Sequence, residues 1–189
     1  LIVKKFSTNL LINTILVSSA LYLFFITLRD FFIRKYSNIS QNIAHFGFSL
    51  LILSILLNNL FSSEIITNLK VGETFTSSKT KIVFKNINQK QEKNYKSIIA
   101  NFSIENINET IEDLSPELRI YNQPNIVTSE ADIKTTLLSD KFIVINIVQN
   151  QDYFNVRYQV KPFMLWIWIS VILISFGGLL SFFKREHEK

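Results

Sequence analysis

The sequence predicts a membrane protein: three transmembrane α-helices, with a small, mostly antiparallel β domain between the second and third. Two observations carry the prediction. Apolar residues gather in three blocks, Leu10–Leu28, Ile43–Phe61 and Phe163–Phe183. Each comes close to the roughly 20 residues needed to cross about 30 Å of hydrocarbon. Between the last two blocks, residues 62–162 are mixed in polarity, and β-branched and aromatic residues there alternate in short runs between turn signals.

Taken in order, residues 1–28 hold the first helix and its flank. Lys4 and Lys5, with Ser18-Ser19-Ala20 further on, imitate a signal peptide and its cleavage site. The apolar run continues through Leu21–Leu28 without a polar break, which favours a retained helix. Residues 29–40 form a short polar loop, so the first two helices are expected to be antiparallel neighbours. Ser40, followed by Gln41 and Asn42, supplies N-cap chemistry for a second helix over 41–61.

Within 62–162, strands are expected at Lys81–Asn86, Tyr95–Glu105, Leu118–Tyr121, Phe142–Val148 and Phe154–Val160. Turn chemistry separates them at Val71-Gly72-Glu73, Ser115-Pro116, Gln123-Pro124-Asn125 and residues 149–152. Ile133–Leu138 reads as a strand or a short helix, and Ile104–Leu114 is equally ambiguous. The pattern leaves a sandwich and an open barrel both open. The third helix, 163–183, opens after Lys161-Pro162, with the proline tolerated in a first helical turn. Trp166 and Trp168 suit an aromatic belt at the membrane boundary. Gly177-Gly178 would let another helix backbone approach closely. A charged tail, 184–189, follows.

The net charge of +5 raises the question of nucleic acid, and the placement of the charges answers it. Residues 62–162 carry twelve Lys/Arg and twelve Asp/Glu, so the domain between the helices is formally neutral. The excess flanks the apolar blocks: Lys4 and Lys5; Arg29, Arg34 and Lys35; Lys184, Arg185 and Lys189. Such charge belongs to topology and lipid headgroups, whereas a nucleic-acid domain carries its basic excess on its own surface. Loop 29–40 and tail 184–189 fall on one face and hold six Lys/Arg, which makes that face cytoplasmic or matrix-side and the β domain extracytoplasmic. There are no cysteines, hence neither disulfide nor thiol nucleophile.

His45 is the candidate chemical residue. It lies early in the second helix, and an ionisable side chain inside a membrane span is costly unless paired or ligating. Gln41, His45 and Ser49 share a polar stripe at i, i+4, i+8, and Phe46, Phe48 and Ile52 offer apolar surroundings. One reading is a histidine bonded to a neighbouring helix. The other is an axial ligand to a haem held between helices. The remaining histidine, His187, sits in the charged tail, so a bis-histidine site would need its second ligand from another chain. No H-E-x-x-H, Walker loop or Gly-rich fingerprint is present. The acidic pairs Glu112-Asp113 and Glu130…Asp132 read as solvated strand ends with nothing basic arranged around them.

Several of these residues form recognisable patterns. Arg157–Trp168, RYQVKPFMLWIW, followed by Gly177-Gly178, resembles the end of the CcmF/NrfE family of c-type cytochrome haem lyases, where a Y-x-x-K-P-x-x-x-W-I-W run enters a last helix bearing G-G. Pro116-Glu117-Leu118-Arg119-Ile120-Tyr121 and Thr128-Ser129-Glu130-Ala131-Asp132-Ile133 are similar to the family's E-x-R-x-Y … T-x-E-x-x-I pattern. Ile43-Ala44-His45-Phe46-Gly47 is similar to the A-H-x-G that opens its preceding helix. The likeness runs over about residues 1–185, and the K-P…W-I-W element is its most specific part.

The resemblance implies that His45 ligates the iron of a membrane haem b, which reduces incoming haem for thioether formation. It implies a complex that takes haem from a chaperone and attaches it to apocytochrome c at Cys-x-x-Cys-His. It places the β domain in the mitochondrial intermembrane space with the helices in the inner membrane, or, alternatively, in a bacterial periplasm. Lys161, Pro162, Trp166, Trp168, Gly177 and Gly178 would be structural or positioning residues. The family's Trp-rich loop, external histidines and second membrane histidine lie upstream of the matching region. The chain is therefore expected to be a separately encoded C-terminal subunit, inactive by itself. The rival readings are a non-catalytic membrane-anchored assembly module and a haem transporter subunit, the latter disfavoured by the few polar residues in the spans.

Overall fold

The computed structural model describes residues 10–33, 39–106, 111–148 and 152–187, with side chains from Ile12 through Phe183. Lys4, Lys5, Arg34, Lys35 and the side chains of the tail, His187 among them, lie outside the described residues. Two units emerge: a β-sandwich, Ser63–Thr135 with Lys141–Val160, and a helical unit that also takes in Thr136–Asp140 and the chain from Lys161 onward.

The helical unit consists of α1 (Leu10–Ile33), α2 (Ile39–Phe61) and α3 (Met164–His187). All three are long and apolar enough to cross a membrane. α1 continues through Arg29–Ile33, past the expected boundary at Leu28, because Phe31, Phe32 and Ile33 prolong its apolar face. α2 starts before Ser40, so that serine is no cap. It is buried in the first turn, where α3 comes close to its carbonyl.

The sandwich is built from β1 (Ser63–Leu69), β2 (Thr74–Thr76), β3 (Thr80–Gln91), β4 (Tyr95–Asn106), β5 (Glu112–Leu114), β6 (Glu117–Tyr121), β7 (Val127–Glu130), β8 (Asp132–Thr135), β9 (Ser139–Ile147) and β10 (Phe154–Pro162). One sheet runs β1-β10-β9-β8. The other runs β2-β3-β4-β6-β7, with β5 paired to β4. The open choice between sandwich and barrel thus resolves to two sheets. The core follows from the two-residue period of strands. Ile82 and Phe84, Ala100, Phe102 and Ile104, and Leu118 turn inward from one sheet; Leu69, Ile143 and Ile145, and Val156 and Tyr158 from the other. Each such large side chain contributes about 1.5–3 kcal/mol when withdrawn from water. Phe84 stacks on Phe102 at 4.4 Å and meets Phe154 edge-on at 5.7 Å.

Local chemistry fixes the ends. Gly72 adopts φ 86°, the left-handed region its turn requires, and its N–H donates to the Phe84 carbonyl at 2.8 Å. The first and last strands, β1 and β10, pair antiparallel from Ser63↔Val160 to Leu69↔Phe154. Across that pair Arg157 and Gln159 both donate to the Glu64 carboxylate. The ambiguous Ile133–Leu138 becomes the end of β8 and a hairpin tip, Thr136–Ser139, closed by Thr136 N–H to the Ser139 carbonyl at 2.9 Å.

Candidate functional site

The geometry of α2 is set by what each of its faces meets. Ser40, Ala44 and Gly47, at i, i+4 and i+7, form a narrow small-residue seam against α3. A Cβ added to Gly47 would lie 2.9 Å from Leu173 Cβ and 3.0 Å from Ile174 N. One added to Gly177 would lie 2.7 Å from both Ala44 N and Ser40 O. The close approach expected of Gly177 is therefore made, and by the chain's own α2. Gly178 faces open space.

A second face of α2 meets α1. Phe46 packs against Phe24 and Phe31 at 5.6 and 5.8 Å between ring centroids. The Ser49 and Thr27 hydroxyls are 2.6 Å apart. Two expectations are corrected here. Phe46 does not help to wall His45, because adjacent residues are turned by about 100° around a helix. Ser49 leaves the exposed stripe of Gln41 and His45 because its hydroxyl is engaged by Thr27 of α1. It is fully buried against α1 instead.

The third face is left over. Gln41, His45, Phe48 and Ile55 are exposed along it, with Ile52 half-buried among them. Their spacing keeps them within an arc of roughly 80°. His45 stands on this stripe with no hydrogen-bond partner for its imidazole among the described residues.

At the start of α3, Pro162 closes β10 and does not enter the first helical turn as expected. Phe163 turns the corner with φ 60°, unusual for a residue with a side chain, and its N–H donates to the Leu138 carbonyl at 2.8 Å. Asn58 Nδ2 donates to the Pro162 carbonyl at 2.5 Å, which ties the end of α2 to the start of α3. Trp166 Nε1 donates to the Leu137 carbonyl at 2.9 Å, so this ring is a clasp on the Thr136–Ser139 tip. Trp168 is exposed and Lys161 half-buried.

In the sandwich, Glu117, Arg119 and Tyr121 share one face of β6, beside Thr128 and Glu130 of β7 and Tyr95 of β4. Glu117 and Glu130 stand directly opposite each other, an unfavourable pairing for like charges. Arg119 answers it: Nη2 lies 3.0 Å from Glu117 Oε2 and Nη1 3.9 Å from Glu130 Oε1, with the guanidinium 5.4 Å over the Tyr95 ring. The guanidinium holds the Glu117 carboxyl below the usual carboxylate range, and Glu117 in turn raises Arg119. This motif fastens three strands together.

The sequence reading missed a buried ion pair. Glu112 was expected to be solvated. It is 7% exposed and lies 3.2 Å from Lys141 Nζ, itself 5% exposed, with Lys134 at 3.4 Å. The brevity of β5 hid it: three residues carry no visible period. Asp113 points the other way, to Lys85 at 2.7 Å, and that ammonium lowers its carboxyl.

Comparison with known proteins agrees with this architecture. The family model described as the CcmF C-terminal β-sandwich matches residues 60–162. The cytochrome c-type biogenesis protein NrfE of Haemophilus influenzae is 25% identical over 178 residues, 93% of this chain and 28% of that protein. The CcmF of Pseudomonas fluorescens is 28% identical over 148 residues, 78% of this chain and 22% of that protein. A solved structure, the cytochrome c haem lyase CcmF, superposes with a TM-score of 0.61 at 14% identity, covering 93% of this chain and 34% of that one, which establishes the shared fold. The chain spans about a quarter of the length of these curated relatives. With the sandwich model matched over more than half of the chain's length, the chain belongs to the CcmF C-terminal family of cytochrome c-type biogenesis proteins.

Proposed function

We propose that the chain is the C-terminal subunit of a c-type cytochrome haem lyase complex, and that His45 is an axial ligand to a haem b shared with a second chain. The observation that carries this reading is the placement of His45 on the one face of α2 turned to neither α1 nor α3. The donor set fits: a neutral imidazole suits haem iron, and Phe48, Ile52 and Ile55 give an apolar flank to a porphyrin. Gln41 is the polar neighbour on that stripe able to accept the second ring N–H and fix the ring's orientation.

When bound, the haem supplies one-electron chemistry to incoming haem. The residues of this chain hold it, orient it and keep water from it. The second ligand comes from an upstream haem lyase subunit, haem from a chaperone, and the acceptor is an apocytochrome with Cys-x-x-Cys-His. The β domain, 62–162, works in the mitochondrial intermembrane space or its bacterial equivalent. The α1–α2 connection and tail 184–189 face the other side of the membrane. Lys161, Trp166 and Trp168 serve to anchor and position the start of α3 at the bilayer.

The test is the spectrum of the complex purified with its partner chains. His45→Ala should remove the b-type haem signal while the complex still assembles. An unchanged spectrum would leave an assembly module without a haem role.

A further inference from the structure

We propose that the tip of the β8–β9 hairpin, Thr136–Asp140, is an interfacial membrane anchor that seats Leu137 and Leu138 at the headgroup–acyl boundary beside the first turn of α3. This inference is independent of His45 and rests on α3 spanning a bilayer.

The composition of the tip is the first argument. Hairpin tips are normally polar. Here two consecutive leucines occupy the apex, each 63% exposed. They do no turn work. The turn is closed by Thr136 Oγ1 donating to the Ser139 carbonyl at 2.7 Å, by the Ser139 N–H returning to Thr136 Oγ1 at 3.1 Å, and by the backbone bond between the same residues. Both leucine side chains are therefore free to meet another phase.

The second argument is where the apex is held. Thr136–Asp140 belongs to the helical unit. The Leu137 carbonyl accepts from Trp166 Nε1 at 2.9 Å and the Leu138 carbonyl from the Phe163 N–H at 2.8 Å. Trp166 is the third residue of α3, about 3 Å along its axis from the start. That is the level at which a tryptophan ring sits with its body in the apolar phase and its N–H toward water. Both clasps also supply a protein donor to each apical carbonyl, a requirement for backbone brought near hydrocarbon. An apolar pair fixed at this depth, with its carbonyls satisfied, fits the lipid boundary.

The absence of native cysteine makes the test direct. Leu137→Cys and Leu138→Cys, each carrying an environment-sensitive fluorophore, are placed in the full chain in phosphatidylcholine vesicles. The proposal expects blue-shifted emission, strong quenching by lipids bearing a nitroxide near the ester groups, and little quenching by aqueous iodide. Ready quenching by iodide overturns it. Shielding from both quenchers overturns it too, because the apex is then covered by protein. Should either variant fail to fold, the unmodified chain is photolabelled in vesicles with a lipid bearing a diazirine at the ester level. Adducts within 136–140 support the anchor, and their absence overturns it.

Discussion

Gly177 lies so close to Ala44 that a methyl group on its Cα would stand 2.7 Å from the Ala44 amide nitrogen. Backbone atoms cannot swing aside as side chains do. Gly177→Ala should therefore cost roughly 1–3 kcal/mol through overpacking, and Gly177→Leu should separate α2 from α3. Gly178→Ala, with open space around it, should be neutral. Thermal unfolding in mild detergent, compared across the three variants, checks this.

The Thr27–Ser49 contact predicts a smaller effect. Removing an interhelical hydrogen bond within membrane spans costs about 0.6 kcal/mol on average. Ser49→Ala should lower stability by that order, with no further loss in the Thr27→Ala/Ser49→Ala double variant. A double-mutant cycle measured in detergent reads the coupling.

For the buried pair in the sandwich the direction depends on how the charge is removed. Lys141→Met strands the Glu112 carboxylate with the half-exposed Lys134 alone, and should cost about 3 kcal/mol. Glu112→Leu with Lys141→Met should be far milder than either single change, since no uncompensated charge stays behind. Denaturant unfolding of the three variants decides it.

Acid should loosen the strand-fastening motif. The Glu117 carboxyl is depressed in the folded protein because Arg119 favours its charged form. The unfolded state consequently binds the proton more readily. The stabilisation is present above the ordinary glutamate value, about 4.3, and fades as pH falls through the lower folded value. Glu117→Gln should flatten this part of the acid-unfolding curve, followed by circular dichroism from pH 5 downward.

Much of this was legible in the residues. The spans were visible because lipid demands long apolar runs, and β3, β4, β6, β9 and β10 because alternation over five or more residues is hard to produce otherwise. Short strands such as β2, β5 and β7 were not, since three or four residues show no period and tertiary pairing alone defines them. His45 stood out by its chemistry. Which neighbours share its face did not, because Phe46 and Ser49 are assigned to α1 by helical phase and by partners distant in sequence.

The seven-rung ladder between β1 and β10 has one more implication. The place where the chain enters the sandwich and the place where it leaves are rungs of the same ladder, Ser63 beside Val160. A segment whose two ends abut in this way is a cassette: excising 64–159 and bridging the gap with a short turn should leave α2 and α3 paired through Gly47 and Gly177, with the loss only of the clasps that Phe163 and Trp166 make on the Leu138 and Leu137 carbonyls.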